Sequence, residues 1–299
     1  VSVFPRDPDL LMRAVMNKRK ENYINEHSMM TAFYRETIKK GRNYVSLSEA
    51  VINIQKQPYT SGKSDRVSLF KGRKTSDYSK LDTLVFKLQG GPYTTLLLDV
   101  VKNPYLIFTD DMFGNYEFNL VNITRVDEKL IYVMEFKQLS HIRAPLFYGK
   151  LYIDTESLAI TSASFNLNIS NKNEAAAMFI KRKPAGAKVY PTEASYLVNY
   201  REKDGKWYLG YSRGQITFKI NWKRKLFNST YASTVEMAIT DWELVKTKPF
   251  RTSERMKTNI IMSEDITGFA DKKFWGEYNY IEPEKSIESA IKKIQKKLK

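Results

Sequence analysis

Two histidines and no cysteine set the limits of the chemistry this chain can perform. His27 precedes Ser28 and His141 follows Ser140. Neighbours along a strand point to opposite faces, whereas a nucleophilic serine needs its base within hydrogen-bonding reach. Neither serine sits in a Gly-x-Ser-x-Gly elbow. A catalytic zinc needs three protein ligands at one centre, and neither His-Glu-x-x-His nor any short histidine pair occurs. Lack of cysteine also removes thiolate catalysis, iron–sulfur clusters, zinc ribbons and disulfides. No catalytic residue, metal ligand set or cofactor is therefore assigned.

Weaker patterns remain. Asp110 with Asp111, or Glu277 with Glu282, offers the two carboxylates that glycoside hydrolysis requires. Acids of this kind are usually turn or surface groups, so a glycan-acting enzyme is the least supported function. Gly90 and Gly91 follow an apolar stretch but lack the spacing of a phosphate-binding loop, and they read as a break between two helices. Basic and aromatic residues interleave from Arg201 to Lys225, as base-stacking surfaces require. Strand register places many of those aromatics in a core, so nucleic acid is not an expected partner.

The elements that must position these groups are mainly β. Asp7 as cap, Pro8, and apolar residues from Leu11 to Met16 predict an N-terminal helix within residues 1–27. Stretches 30–39 and 43–57 form a hairpin around Gly41, and a short strand follows near 67–71. Residues 80–102 read as a helical insertion. Hairpins then turn at Asp127–Lys129, at Asp154–Glu156 and at Asp204–Gly205, where positive φ is favoured at both central positions. From Gln215 to Trp222 the alternation is complete, with Ile216, Phe218, Ile220 and Trp222 on one face. Residues 246–273 read as a long connection or partner-facing segment. Pro283 then opens a helix with Ile287, Ile291, Ile294 and Leu298 on one side and lysines on the other.

The expected fold is α+β, mainly β: a single domain over 1–299. A strongly curved antiparallel sheet, or half-barrel, spans 28–245 with helices on its concave face. The net charge of +16 runs through both halves and attracts polyanions such as anionic lipid head groups. No window is long and apolar enough for a spanning helix. The opening, without Met or a signal-like stretch, suggests that a leader has been removed.

The phrases TAFYRE at 31–36, LSEAV at 47–51, FKLQGGPY at 86–93, YGKLYID at 148–154, GKWYL at 205–209, EMAITD at 236–241 and FWGEYNYIEPE at 274–284 run through nearly the whole chain. In them the chain resembles the C-terminal portion of Bacteroidetes carboxypeptidase-like regulatory domain-containing proteins. The name belongs to an upstream module and implies no peptidase here. The resemblance implies export to the periplasm or outer membrane. The order of elements also looks like the half-barrel of LolA-type lipoprotein carriers, a likeness of topology without a motif.

These observations predict a non-enzymatic cell-envelope protein. Ile216, Phe218, Ile220 and Trp222 would line a cavity for an apolar small molecule, an acyl chain or a protein partner. Phe274, Trp275, Tyr278 and Tyr280 would close one end of the sheet or form a contact surface. The alternative is a basic scaffold on an anionic outer-membrane surface.

Overall fold

The computed structural model describes residues 7–76, 90–104, 107–180, 186–223, 228–244 and 250–262. They are mostly β. Ten strands form one antiparallel sheet that does not close: β1 (Ser28–Lys40), β2 (Asn43–Lys56), β3 (Arg66–Ser76), β4 (Tyr116–Val126), β5 (Lys129–Gln138), β6 (Phe147–Asp154), β7 (Ile160–Leu167), β8 (Ala187–Lys203), β9 (Lys206–Trp222) and β10 (Ser229–Leu244). Their spatial order is β3-β2-β1-β10-β9-β8-β7-β6-β5-β4. Strands that pair are neighbours in sequence, and β1–β2, β4–β5 and β8–β9 are joined by tight turns. The exception is the pairing of β1 with β10, which brings the two ends of the chain's β region together.

The expected hairpins are all present, and their turns follow from backbone chemistry. Asp204 and Gly205 adopt φ of 53° and 72°, the doubly positive turn that matches the twist of the long β8–β9 pair. Asp7 caps α1 (Pro8–Asn17), its Oδ1 accepting from the amides of Asp9 and Leu10 at 2.9 and 3.1 Å. A second short helix, α2 (Arg19–Asn22), leads into β1.

The expected helix over 80–102 differs in length where it is described. After the turn at Gly90–Gly91, α3 spans only Pro92–Leu97, and the chain then winds through irregular turns to α4 (Asp110–Phe113). Residues 80–89 lie outside the described residues. Neither α4 nor a further helix, α5 (Lys172–Phe179), has a counterpart in the sequence-based expectation. α5 is capped by the Asn171 side chain, which accepts from the Glu174 amide at 3.3 Å. The segment read as partner-facing is laid against its own chain over 250–262. The Met256 amide donates to the Val67 carbonyl at 2.8 Å, the Gly90 amide donates to the Ile260 carbonyl at 2.9 Å, and Met256 and Met262 are buried. The helix expected from Pro283 and the run Phe274, Trp275, Tyr278 and Tyr280 lie outside the described residues.

Register assigns the faces. Tyr34, Glu36 and Ile38 of β1 stand opposite Met237, Val235 and Ser233 of β10, which in turn face Ser212, Gly214 and Ile216 of β9. All these side chains share one face. α3 packs on the same face, since Thr95 Oγ1 lies 3.5 Å from Met237 Sδ and a Cβ at Gly214 would meet Leu98 at 3.4 Å. On the opposite face, Arg35 and Arg73 hold the fully buried Glu49 between them.

Close approach of strands makes one glycine obligatory. A Cβ at Gly149 of β6 would stand 2.2 Å from the Ser164 carbonyl oxygen and 2.6 Å from Phe165 Cα of β7. Gly149→Ala should lower stability by about 2 kcal/mol or more, as an overpacked core site does. Urea unfolding reads this as a lower midpoint at unchanged slope.

Candidate functional site

The face that carries α3 divides into three zones along the strands. At one end a large apolar cluster surrounds a buried ionic group. Lys56, at the end of β2, is 1% exposed, and its ammonium donates to Asp99 Oδ2 and Asp65 Oδ2, both at 2.9 Å. Asp99 follows α3 and is fully buried. Its Oδ1 accepts from the Tyr200 hydroxyl at 2.8 Å and from the Lys102 amide at 3.1 Å. The Lys102 ammonium donates to the carbonyls of Pro58 and Ser61 at 2.7 and 2.6 Å. Burial alone would lower the Lys56 ammonium, but the charges of Asp65 and Asp99 outweigh it and raise it. Burial lowers Lys102 to about 8, assisted by the charges of Lys56 and Arg19. Around this group stand Tyr23, Tyr59 and Tyr200, with ring centroids 5.0 and 5.5 Å from Tyr23. Burial, and then the Asp99 charge, raises all three phenols well above their ordinary range.

At the other end Phe218 and Ile220 of β9 are buried with Ile38, Val189 and Tyr231, and Ile216 and Trp222 pack at the border of this second cluster. The four residues expected to line a cavity thus stand together on the α3 face. Among the described residues α5 approaches them through Phe179, whose ring lies 6.2 Å from that of Phe218 and nearly perpendicular to it.

Between the two clusters lies a polar zone that sequence reasoning missed. Glu36 of β1 is 2% exposed, and its one hydrogen bond comes from the Tyr34 hydroxyl at 3.0 Å. Among the described residues no lysine or arginine pairs with it. Ser48, directly opposite on β2, is fully buried with its hydroxyl unpartnered, and the Ser212 hydroxyl further along the face is likewise unpartnered. Burial pushes the Glu36 carboxyl up to about 7, against the opposing effect of the Tyr34 hydrogen bond. A signal was present in the sequence. Met30, Ala32, Tyr34, Glu36 and Ile38 alternate in phase, which places an acid in an apolar stripe.

The remaining candidates are dispersed. His27, His141, Ser140 and Asp111 are exposed, and Ser28 is buried. Glu277 and Glu282 lie outside the described residues. Trp207, Tyr208 and Phe218 of the basic–aromatic stretch are buried in the two clusters. Among the described residues no group of three or more His, Asp or Glu side chains could hold a metal ion, and no helix is long and apolar enough to cross a membrane. A cleft of about 420 Å³ opens at one sheet end between Ile24, Lys203 and Trp242. The Lys203 ammonium covers the Trp242 ring at 5.0 Å there.

Two predictions follow from this geometry. Asp99→Ala leaves Lys56 short of one counter-charge and Tyr200 without its acceptor, and should cost about 3–5 kcal/mol in chemical denaturation. Glu36 has a folded pKa above its unfolded value, so the folded state holds its proton to higher pH. Its burial is tolerated below the ordinary carboxylate range and costs progressively more as pH rises through about 7. Glu36→Gln should therefore gain stability over the parent at about pH 8, by up to about 3 kcal/mol, and little near pH 4. Paired urea titrations at the two pH values check the difference.

No protein-family model matches the sequence, and no curated protein sequence matches it. Among solved structures the chain is similar to a DUF1329 family protein from Desulfovibrio piger, at 12% identity over 83% of this chain and 98% of that one, with a TM-score of 0.34. It is similar to a domain described as an outer membrane lipoprotein-sorting protein from Vibrio parahaemolyticus, at 8% identity over 81% and 95%, TM-score 0.35. A LolA superfamily protein from Nitrosomonas europaea aligns at 11% identity over 79% and 94%, TM-score 0.27. Proteins of the LolA type, whose element order the sequence resembles, thus stand among the similar structures.

Proposed function

We propose that this chain is a non-enzymatic binding protein of the cell envelope that holds an elongated apolar molecule between its sheet and the segments lying on the α3 face. The observation that carries this reading is the apolar patterning of that face. Its apolar stripe runs from Met237 through Val235 to Ile216, Phe218 and Trp222, past the reach of α3, which ends at Leu97. In this reading the sheet bends around the stripe as a half-barrel, with the helices on its concave side. About ten methylenes of an acyl chain laid along it would contribute roughly 8 kcal/mol before the costs of ordering.

The excess of 16 positive charges favours an accompanying role at an anionic membrane surface. The aromatic run Phe274, Trp275, Tyr278 and Tyr280 is proposed as the contact surface for an envelope protein partner. Association through the basic surface should weaken steeply as added salt shortens the screening length below roughly 10 Å.

The test of ligand binding is uptake of N-phenyl-1-naphthylamine by delipidated protein. Saturable fluorescence enhancement is expected, and Ile216→Ala and Trp222→Ala should each weaken it by about three- to tenfold, the worth of the apolar contact removed. A delipidated protein that gives no enhancement, or variants that bind as the parent does, would overturn the proposal.

A further inference from the structure

The polar zone in the middle of this face has no structural role that the fold explains. Of the other fully buried acids, Glu49 faces Arg35 and Arg73, and Asp99 faces Lys56 at 2.9 Å and accepts from the Tyr200 hydroxyl and the Lys102 amide. Among the described residues Glu36 faces no cation. It accepts a single hydrogen bond, from Tyr34, although a carboxylate offers about four acceptor sites. Beside it on the same rung the Ser48 hydroxyl has no partner at all. Directly opposed side chains of paired strands stand about 5 Å apart at Cβ. One small polar group placed between Glu36 and Ser48 would reach both. The groups nearest to Glu36 on its rungs are Tyr34, Ser48, Val235 and Ile38, and the next charged side chain is Lys74, opposite Ser48 on β3.

We propose that Glu36 and Ser48 form the anchor for the head group of the bound amphiphile, and that this head is a primary ammonium on a long alkyl chain. The proposal rests on the ligand-binding reading above and assigns the chemistry of the ligand's polar end. An ammonium carries three donors and one positive charge. The site lacks a counter-charge and has unfilled acceptors on Glu36 and Ser48, so the two match. A carboxylate head would add a second negative charge beside the first, and an alcohol would leave an ionised Glu36 uncompensated in an apolar surround. From Glu36 the chain would run past Ile38 to Ile216 and then to Phe218, two rungs along the same face.

The experiment is displacement of N-phenyl-1-naphthylamine from the delipidated full chain by dodecylamine, dodecanol and dodecanoate, near pH 8 and below their aggregation concentrations. Dodecylamine should displace at a concentration roughly tenfold or more below the other two, the margin of a charge-assisted contact. Glu36→Gln, close in shape to the native residue, should abolish that preference and leave dodecanol within about twofold of its parent value. Ser48→Ala should weaken dodecylamine alone, by about threefold. Equal displacement by all three ligands, or a preference that survives in Glu36→Gln, overturns the anchor while apolar binding stands. Failure of the fluorophore itself to bind removes both proposals.

Discussion

A lysine ammonium sealed between two aspartates fixes how the chain lies on its own sheet. Lys56 belongs to β2, Asp65 to the loop before β3, and Asp99 to the turn that follows α3. Desolvating such a group is costly, and apolar residues of similar volume often hold a core equally well. What the ionic group adds is uniqueness of place. Asp99 finds two oppositely charged or donating partners in one position only, where Lys56 and Tyr200 converge, so α3 is anchored at its C-terminal end. The irregular turns after Leu97 follow from this. Asp99 must leave the helical path to enter the cluster, while its carbonyl still accepts from the Asn103 amide at 2.8 Å.

The anchor makes the two ends of the α3 face unequal. Near Lys56 the face is bolted down by ion pairs, tyrosine hydroxyls and a continuous aromatic cluster. Toward Phe218 the described contacts are those of apolar side chains, which give burial without direction. Between them Glu36 and Ser48 face each other with acceptors to spare. A sheet with a rigid end, a non-directional end and a polar step between has the features that a site for an amphiphile requires, a fixed frame and a place for each end of the ligand.

Local rules were enough for the strands and their turns. Asp204–Gly205 announced its hairpin because few other residue pairs tolerate positive φ at both positions, and the eight residues from Gln215 to Trp222 announced a two-sided strand by strict alternation. β8 begins well before Tyr196, in a stretch where Pro191 and a bulge beside it interrupt the alternation that local rules read. α5 escaped because its three alanines give little amphipathic contrast, although Asn171 and Glu174 carry the spacing of an N-terminal cap. Partners distant in sequence were beyond local rules. Nothing in the sequence around Lys56 says that it meets an acid 43 residues away. Glu36 lay between these cases: its phase was visible, but its lack of a counter-charge was a property of the assembled sheet alone.

The account stands or falls on whether the α3 face buries a ligand's apolar surface. Calorimetric titration of delipidated protein with dodecylamine at several temperatures measures this directly. The account predicts saturation at one equivalent with a heat-capacity change that is clearly negative, the mark of apolar area leaving water. Heats that do not saturate, or a heat-capacity change near zero, would contradict it.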